Sequence, residues 1–243
     1  MDTPSRRRGL PVAIAAAVVV VVWAIAGAIR VAHPAPGLID RGWDAFVDAD
    51  RLPVLHAIAE GFAVAGTGWP AVLVVAVVAV LLGALRGWAW AGFTLLAAVV
   101  SALDVTGLKL LAMRARPDAA FGTDNSFPSG HTANAALLCT IVVLLVPHLA
   151  VRIPAVLVAF AMAWSRTAIH AHWLTDVLGG LLIGAATAIL LHAAWSVLLA
   201  RRATGRRRRD PAAIERRTAA ARRRRRSRRP AALSRARRRR GGS

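Results

Sequence analysis

Within the apolar part of this chain, ionisable side chains crowd into three short segments. Lys109, Arg114 and Arg116 lie in the first, His131 in the second, and Arg166, His170, His172 and Asp176 in the third, with Asp104 just upstream. A charge inside an apolar run costs about 2.5–3.5 kcal/mol on insertion scales, so such residues point to function. Lys109 is the only lysine in a chain that uses Arg everywhere else. Keeping Lys against that bias suits a site needing a compact ammonium rather than a planar fork. A snorkelling side chain at a span end is the plainer alternative. Arg116 follows seven residues on, so the two cations share a face if the helix continues. Pro117 then ends it.

The second segment reads Phe127-Pro128-Ser129-Gly130-His131. Pro and Ser suit a helix start, and Gly lets backbone approach a ligand closely. The free N–H groups of a helix N-terminus attract anions, and His131 sits at that positive end. A simple turn capped by Ser129 is the competing reading. In the third segment His172 and Asp176 are four residues apart, so on a helix they face each other across one turn. A carboxylate on one ring nitrogen fixes the tautomer and leaves the other nitrogen a lone pair able to attack. Two histidines, a carboxylate, three cations (Lys109, Arg116, Arg166) and a helix N-terminus suit phosphoryl transfer, which needs positioning and charge stabilisation more than covalent help. No metal or other cofactor is required by this set. Cys139 stands alone in an apolar run, so Cys-based metal binding is excluded and an inert thiol is expected.

Those residues need elements to hold them. Residues are 57% hydrophobic, and the apolar ones come in long runs. Runs of about 18 or more apolar residues mean membrane helices. The expected fold is all-α, an integral-membrane bundle of six transmembrane helices. Spans are predicted near 10–32, 63–85, 88–112, 131–149, 153–172 and 174–199. A cleaved signal peptide is the alternative for the first, but its apolar stretch exceeds the usual h-region. Within 33–62, Trp43, Phe46 and Val47 alternate with Asp40, Asp44, Asp48 and Asp50, which predicts a short interfacial helix in the first outer loop.

The net charge is +20, but residues 201–243 hold 20 Arg against Asp210 and Glu215, so +18 of it lies there. Three parts follow: an N-terminus over 1–9, a six-span domain over 10–199, and a basic, disordered tail over 200–243. Six spans put both termini on one side, together with Arg6–Arg8, Arg86, Arg152 and the tail. The positive-inside rule makes that side cytoplasmic and the chemistry-bearing ends outside. Abundant Ala, Val and Arg with no Tyr suit a high-G+C bacterium, hence its plasma membrane. The tail suits anionic lipid head groups, at about 1 kcal/mol per basic residue. Nonspecific nucleic-acid contact is the lesser alternative.

Three patterns together resemble the type 2 phosphatidic acid phosphatase superfamily. They are K-x6-R-P at Lys109 to Arg116-Pro117, P-S-G-H at Pro128 to His131, and S-R-x5-H-x3-D at Ser165-Arg166, His172 and Asp176. The resemblance implies that Lys109, Arg116 and Arg166 bind phosphoryl oxygens, with Ser129 and Gly130 adding hydrogen bonds. It makes His131 the general acid, His172 the nucleophile that becomes phosphohistidine, and Asp176 the residue that holds His172. It implies a metal-independent hydrolase acting on a lipid phosphate or diphosphate. Undecaprenyl diphosphate is the first expectation, with phosphatidylglycerophosphate, phosphatidic acid and a lipid phosphotransferase as alternatives. His170 is expected to be structural or pocket-lining. Arg114 is expected at phosphate or at the interface, and Asp104 beside a cation. A membrane-anchored polybasic binding protein is the non-enzyme alternative.

Overall fold

The computed structural model describes residues 4–32, 35–49 and 52–209. Its elements are α1 (Pro4–Ala32), α2 (Leu38–Ala49), α3 (Pro53–Ala65), α4 (Gly68–Arg86), α5 (Trp88–Ala112), α6 (Gly130–Leu145), α7 (Leu149–Ala168) and α8 (Leu174–Arg209), with a single 3-10 turn at Ala119–Phe121. No strand occurs among the described residues. Helices satisfy their own backbone groups, the condition for crossing a bilayer. Five of them are long and apolar enough to do so: Gly9–Ala32, Gly68–Arg86, Trp88–Ala112, Leu149–Ala168 and Leu174–Thr204. Their large apolar side chains point outward as well as inward, as Val72, Leu103 and Phe160 do. A helix apolar all round belongs in lipid. The chain is an all-α, multi-pass membrane protein.

The boundaries depart from the sequence reading in several places, among them the α6/α7 junction, where α6 ends at Leu145 and α7 begins at Leu149, so Arg152 and Pro154 are helical. The helix α1 begins at Pro4, so Arg6–Arg8 are helical. Residues 33–62 hold α2 and most of α3 rather than one short helix. The second span starts at Gly68, whose φ of +56° turns the chain out of α3. α7 stops at Ala168, so His172 lies beyond it. α8 continues through Arg209, so residues 200–209 of the expected tail are helical. The rest of that tail, 210–243, lies outside the described residues. Two compact units divide the chain, Met1–Ala193 and Ala194–Ser243, and everything below concerns the first.

Direction matters more than length. α5 ends, α6 begins, α7 ends and α8 begins all at the same end of the bundle, where their polar residues meet. Small residues let α8 close onto α6. A Cβ at Gly184 would stand 2.1 Å from the Ala133 carbonyl oxygen, and one at Gly180 would stand 2.7 Å from that of Ser129. This Gly-x3-Gly stripe allows backbone-to-backbone contact of the kind that joins membrane helices. Beside it, the ring of Phe127 fills the space over Gly179. At the core, Val22 and Ala26 of α1 meet Val105, Leu108 and Ala112 of α5, Ala133 of α6 and Ile183 of α8.

Backbone contact leaves no room for a methyl group at Gly184. Gly184→Ala is expected to destabilise the protein by about 1–3 kcal/mol, the usual cost of overpacking. Gly92→Ala, on a helical position with open space around it, is expected to be tolerated or to stabilise by up to about 1 kcal/mol. Thermal unfolding in detergent reads both.

Candidate active site

The turn that follows α7 sets the site. His170 takes φ +53°, a left-handed conformation that reverses the chain. The N–H groups of Ala171 and His172 then donate to the carbonyl of Arg166, each at 3.1 Å. Five residues between Arg166 and His172 are what this reversal uses, so the arginine and the histidine end side by side. α8 starts two residues later. Asp176, in its first turn, accepts the Trp173 N–H on Oδ2 at 2.9 Å. That is the N3-to-N-cap half of a capping box. His172 and Asp176 therefore meet across a helix start and not along one helical face.

The loop from Met113 to Ser129 is stitched to this turn. Asp118 N–H donates to the His170 carbonyl at 3.1 Å, Trp173 Nε1 to the Ala115 carbonyl at 3.0 Å, and Ser129 N–H to the Asp176 carbonyl at 3.0 Å. α5 itself ends at Ala112, where Met113 adopts φ +46°. Lys109 and Arg116 accordingly do not share a helical face. They converge on Asn125 instead: Lys109 Nζ donates to its carbonyl oxygen and Arg116 Nε to its Oδ1 at 2.8 Å.

His172 is 2% exposed. Its Nδ1 lies 3.7 Å from Asp176 Oδ2 and 3.4 Å from Ser126 Oγ, whose hydroxyl donates to that same carboxylate oxygen. Its Nε2 looks the other way, 3.4 Å from Arg116 Nη1. Arg116 is fixed there by donating to the Ala171 carbonyl at 2.9 Å. Burial pushes the imidazole of His172 down to about 4. The Asp176 carboxylate opposes that shift, and the cations Arg116 and Lys109 add to it. Burial also holds the Arg116 guanidinium below its ordinary value. At neutral pH His172 is a neutral ring with Nε2 turned to cations.

Arg166 is buried, and its Nε has no hydrogen-bond partner among the described residues. Its guanidinium stands 6.0 Å from the centre of the Phe121 ring. His131 lies within electrostatic reach of Arg166, His172 and Lys109. The Nε2 of His131 is 2.8 Å from Thr67 Oγ1 and 3.3 Å from the Ala63 carbonyl. Since the Thr67 hydroxyl itself donates to Ala63 at 2.7 Å, Nε2 carries the proton toward both and Nδ1 is free. Gly66 passes directly against this ring, with space for no side chain. Ser129 is fully buried at the start of α6 and accepts from Thr132 Oγ1 at 3.1 Å. Gly130 lies near Val105 and Lys109. All eight residues singled out from the sequence thus gather at one end of the bundle.

Three residues take up other places. Arg114 bridges carboxylates, reaching Asp176 Oδ1 and Asp40 Oδ2, each at 2.6 Å. Asp104 accepts from Trp23 Nε1 at 2.9 Å and from Thr187, not from a cation. His170 lies 2.7 Å from Asp44 through Nδ1 and 3.2 Å from Asp48 through Nε2, so it is structural. Sequence reasoning missed Asp40, Thr67, Asn125 and Ser126. For Asp40 there was a signal: Asp40, Asp44 and Asp48 recur every four residues, one stripe along α2.

A polytopic helical membrane protein with three cations around a buried, neutral histidine has the makings of a phosphoryl-transfer enzyme. Residues 87–199 match the model of the PAP2 superfamily. That segment is a little under half of the chain, and it is similar to the PAP2 superfamily of type 2 phosphatidic acid phosphatases. A transmembrane PAP2-type phosphatidylglycerolphosphate phosphatase from Bacillus subtilis is similar at 26% identity and TM-score 0.58, over 72% of this chain and 94% of that one. LpxE from Aquifex aeolicus shares the fold at 23% identity and TM-score 0.56, over 65% of this chain and 96% of that one. No curated protein sequence matches.

An unpartnered Arg166 Nε beside Lys109 and Arg116 calls for an oxyanion. Orthovanadate is expected to raise the thermal midpoint of the purified protein. Arg166→Ala is expected to weaken its binding about 10–100-fold, the equivalent of one charge-assisted hydrogen bond. A vanadate titration followed by thermal shift measures it.

Proposed function

We propose that the chain is a membrane lipid phosphatase in which His172 Nε2 attacks phosphorus. The observation that carries this reading is the two-sided setting of His172. Nδ1 faces Asp176 and Ser126, while Nε2 faces the cations. In the first step the Nε2 lone pair forms the P–N bond as the P–O ester bond breaks. Lys109, Arg116 and Arg166 balance charge on the phosphoryl oxygens, and Ser129 and the Gly130 N–H add hydrogen bonds. Asp176 steadies the Nδ1–H as the ring becomes cationic. His131 takes up a second proton on its free Nδ1 when the anionic substrate binds, and gives that proton to the leaving oxygen while Nε2–H stays with Thr67 and Ala63. It then takes one from the water that breaks the P–N bond, releasing phosphate.

A lipid leaving group is supported by what lies below His131. On α6, His131, Asn134, Ala135, Leu138, Cys139 and Val142 form one stripe, and this stripe lines an apolar cavity of about 300 Å³. Phe62, Val74, Val158 and Met162 close it from α3, α4 and α7. A hydrocarbon chain there would place its ester oxygen at His131. Asn134 and Ala135, the first residues below His131, offer a neutral partner and no charge for a second phosphate. This favours a glycerolipid monoester such as phosphatidylglycerophosphate over undecaprenyl diphosphate, the first expectation from the sequence.

The chain direction supports six crossings, with the 16-residue α6 as the one below span length. α5 and α7 both end at the site, so α6 must traverse the bundle between them. Arg86 and Arg152 then lie at the far end with the N-terminal arginines, which makes that side cytoplasmic and turns the site outward. The helix α2 lies at the interface, with Leu38, Ile39 and Phe46 exposed for lipid. The plasma membrane of a bacterium fits this layout.

His172→Ala is expected to abolish phosphate release and the acid-labile phosphoenzyme seen in quenched single turnovers. Undiminished release from that variant would end the reading. Release rates on phosphatidylglycerophosphate, phosphatidic acid and undecaprenyl diphosphate rank the substrates, and the two monoesters are expected to lead. The pH profile gives a further test. Lowering the pKa to about 4 keeps His172 neutral above that pH. The acid limb of kcat/KM, which reports the free enzyme, is therefore expected near 4 once titration of the substrate phosphate is subtracted. A limb near the ordinary histidine value of about 6.5 would contradict it.

A further inference from the structure

The helix α2 lies outside the segment that defines the superfamily, yet it is tied to the centre of the site. Asp40 is 2% exposed, and its oxygens accept three hydrogen bonds. Oδ2 takes Arg114 Nη2 at 2.6 Å and Thr175 Oγ1 at 2.9 Å, and Oδ1 takes the Thr175 N–H at 2.9 Å. The other arm of the same guanidinium donates to Asp176 Oδ1 at 2.6 Å and to Thr175 Oγ1 at 2.7 Å. Arg114 is thus divided between two buried carboxylates and takes a single oxygen from each.

That division has a chemical consequence. Left with one carboxylate, an arginine prefers to grip both oxygens in a parallel fork. Gripped so, Asp176 would turn Oδ2 toward Arg114 and away from His172. With Asp40 holding one arm, Oδ2 stays with Ser126, the Trp173 N–H and the Nδ1 side of His172. We propose that Asp40 is a positioning residue, which acts through Arg114 to keep one oxygen of Asp176 turned to His172. This rests on His172 as the nucleophile. It makes the first outer segment part of the working site.

The test compares kcat and KM for purified full-length variants, with phosphoenzyme formation followed in quenched single turnovers. Asp40→Asn is expected to lower kcat and phosphoenzyme formation about 10–100-fold, the range for partners that orient a reacting group, with KM little changed. Asp40→Glu, which keeps the charge, is expected to recover much of the rate. Asp44→Asn loosens α2 at its other tether, His170, without touching Arg114, and is expected to leave kcat nearly intact. Equal losses in Asp40→Asn and Asp44→Asn would mean that α2 is only a brace, and would overturn the proposal. A cycle with Arg114→Lys gives the second arm. A lysine keeps a cation between the carboxylates but has no fork, so it should lower kcat alone and make Asp40→Asn redundant. Fully additive losses would overturn the proposal too. Should Asp40→Asn be recovered unfolded, Arg114→Lys alone carries the test, with lowered kcat at unchanged KM expected and wild-type kcat overturning it. His172→Ala separates the two readings. If it stays active, the parent mechanism fails. If it is inactive while Asp40→Asn keeps wild-type kcat, only the positioning role fails.

Discussion

The carboxylate of Asp176 is the interaction on which the rest of the site depends. It is wholly buried, and both its oxygens are engaged. Arg114 holds one, while Ser126 and the Trp173 N–H hold the other on the side of His172. A buried charge survives only when paired and hydrogen-bonded. Meeting that demand draws in α2 through Asp40, the loop after α5 through Arg114 and Ser126, and the start of α8 through its own cap. The geometry of the site follows from satisfying one ion.

Much of this was legible in the sequence. Charged residues in apolar runs are conspicuous because membranes exclude them, and the eight candidate residues do converge. The reasons given for their convergence were less accurate. Periodicity suggested that Lys109 and Arg116 share a helical face and that His172 faces Asp176 along another. Both pairs instead meet through chain reversals at Met113 and His170. Left-handed backbone at a methionine and a histidine has no compositional signature, so spacing alone could not show that each pair meets across a reversal.

The missed residues are instructive in the same way. Asn125 and Ser126 are ordinary polar residues in a polar loop, and nothing local marks them. They matter because the loop folds back and presents a carbonyl to Lys109 and a hydroxyl to Asp176. Thr67 serves His131 from 64 residues away. Asp40, Asp44 and Asp48 were legible as the polar face of an amphipathic helix. That this face docks on Arg114 and His170, while lipid-type residues stay exposed, needed the third dimension.

The glycine stripe of α8 bears on how the molecule moves. With Gly180 and Gly184 against the backbone of α6, and Ser129 hydrogen-bonded to Asp176 where the two helices begin, those two helices behave as one rigid keel. His131 and Asp176 are both carried on it, each in the first turn of its helix. α2 and α3 are fastened to the same keel, through Asp40 on Thr175 and through Ala63 and Thr67 on His131. A change in how α6 and α8 pack would therefore reach His131, Asp176 and both outer helices at once.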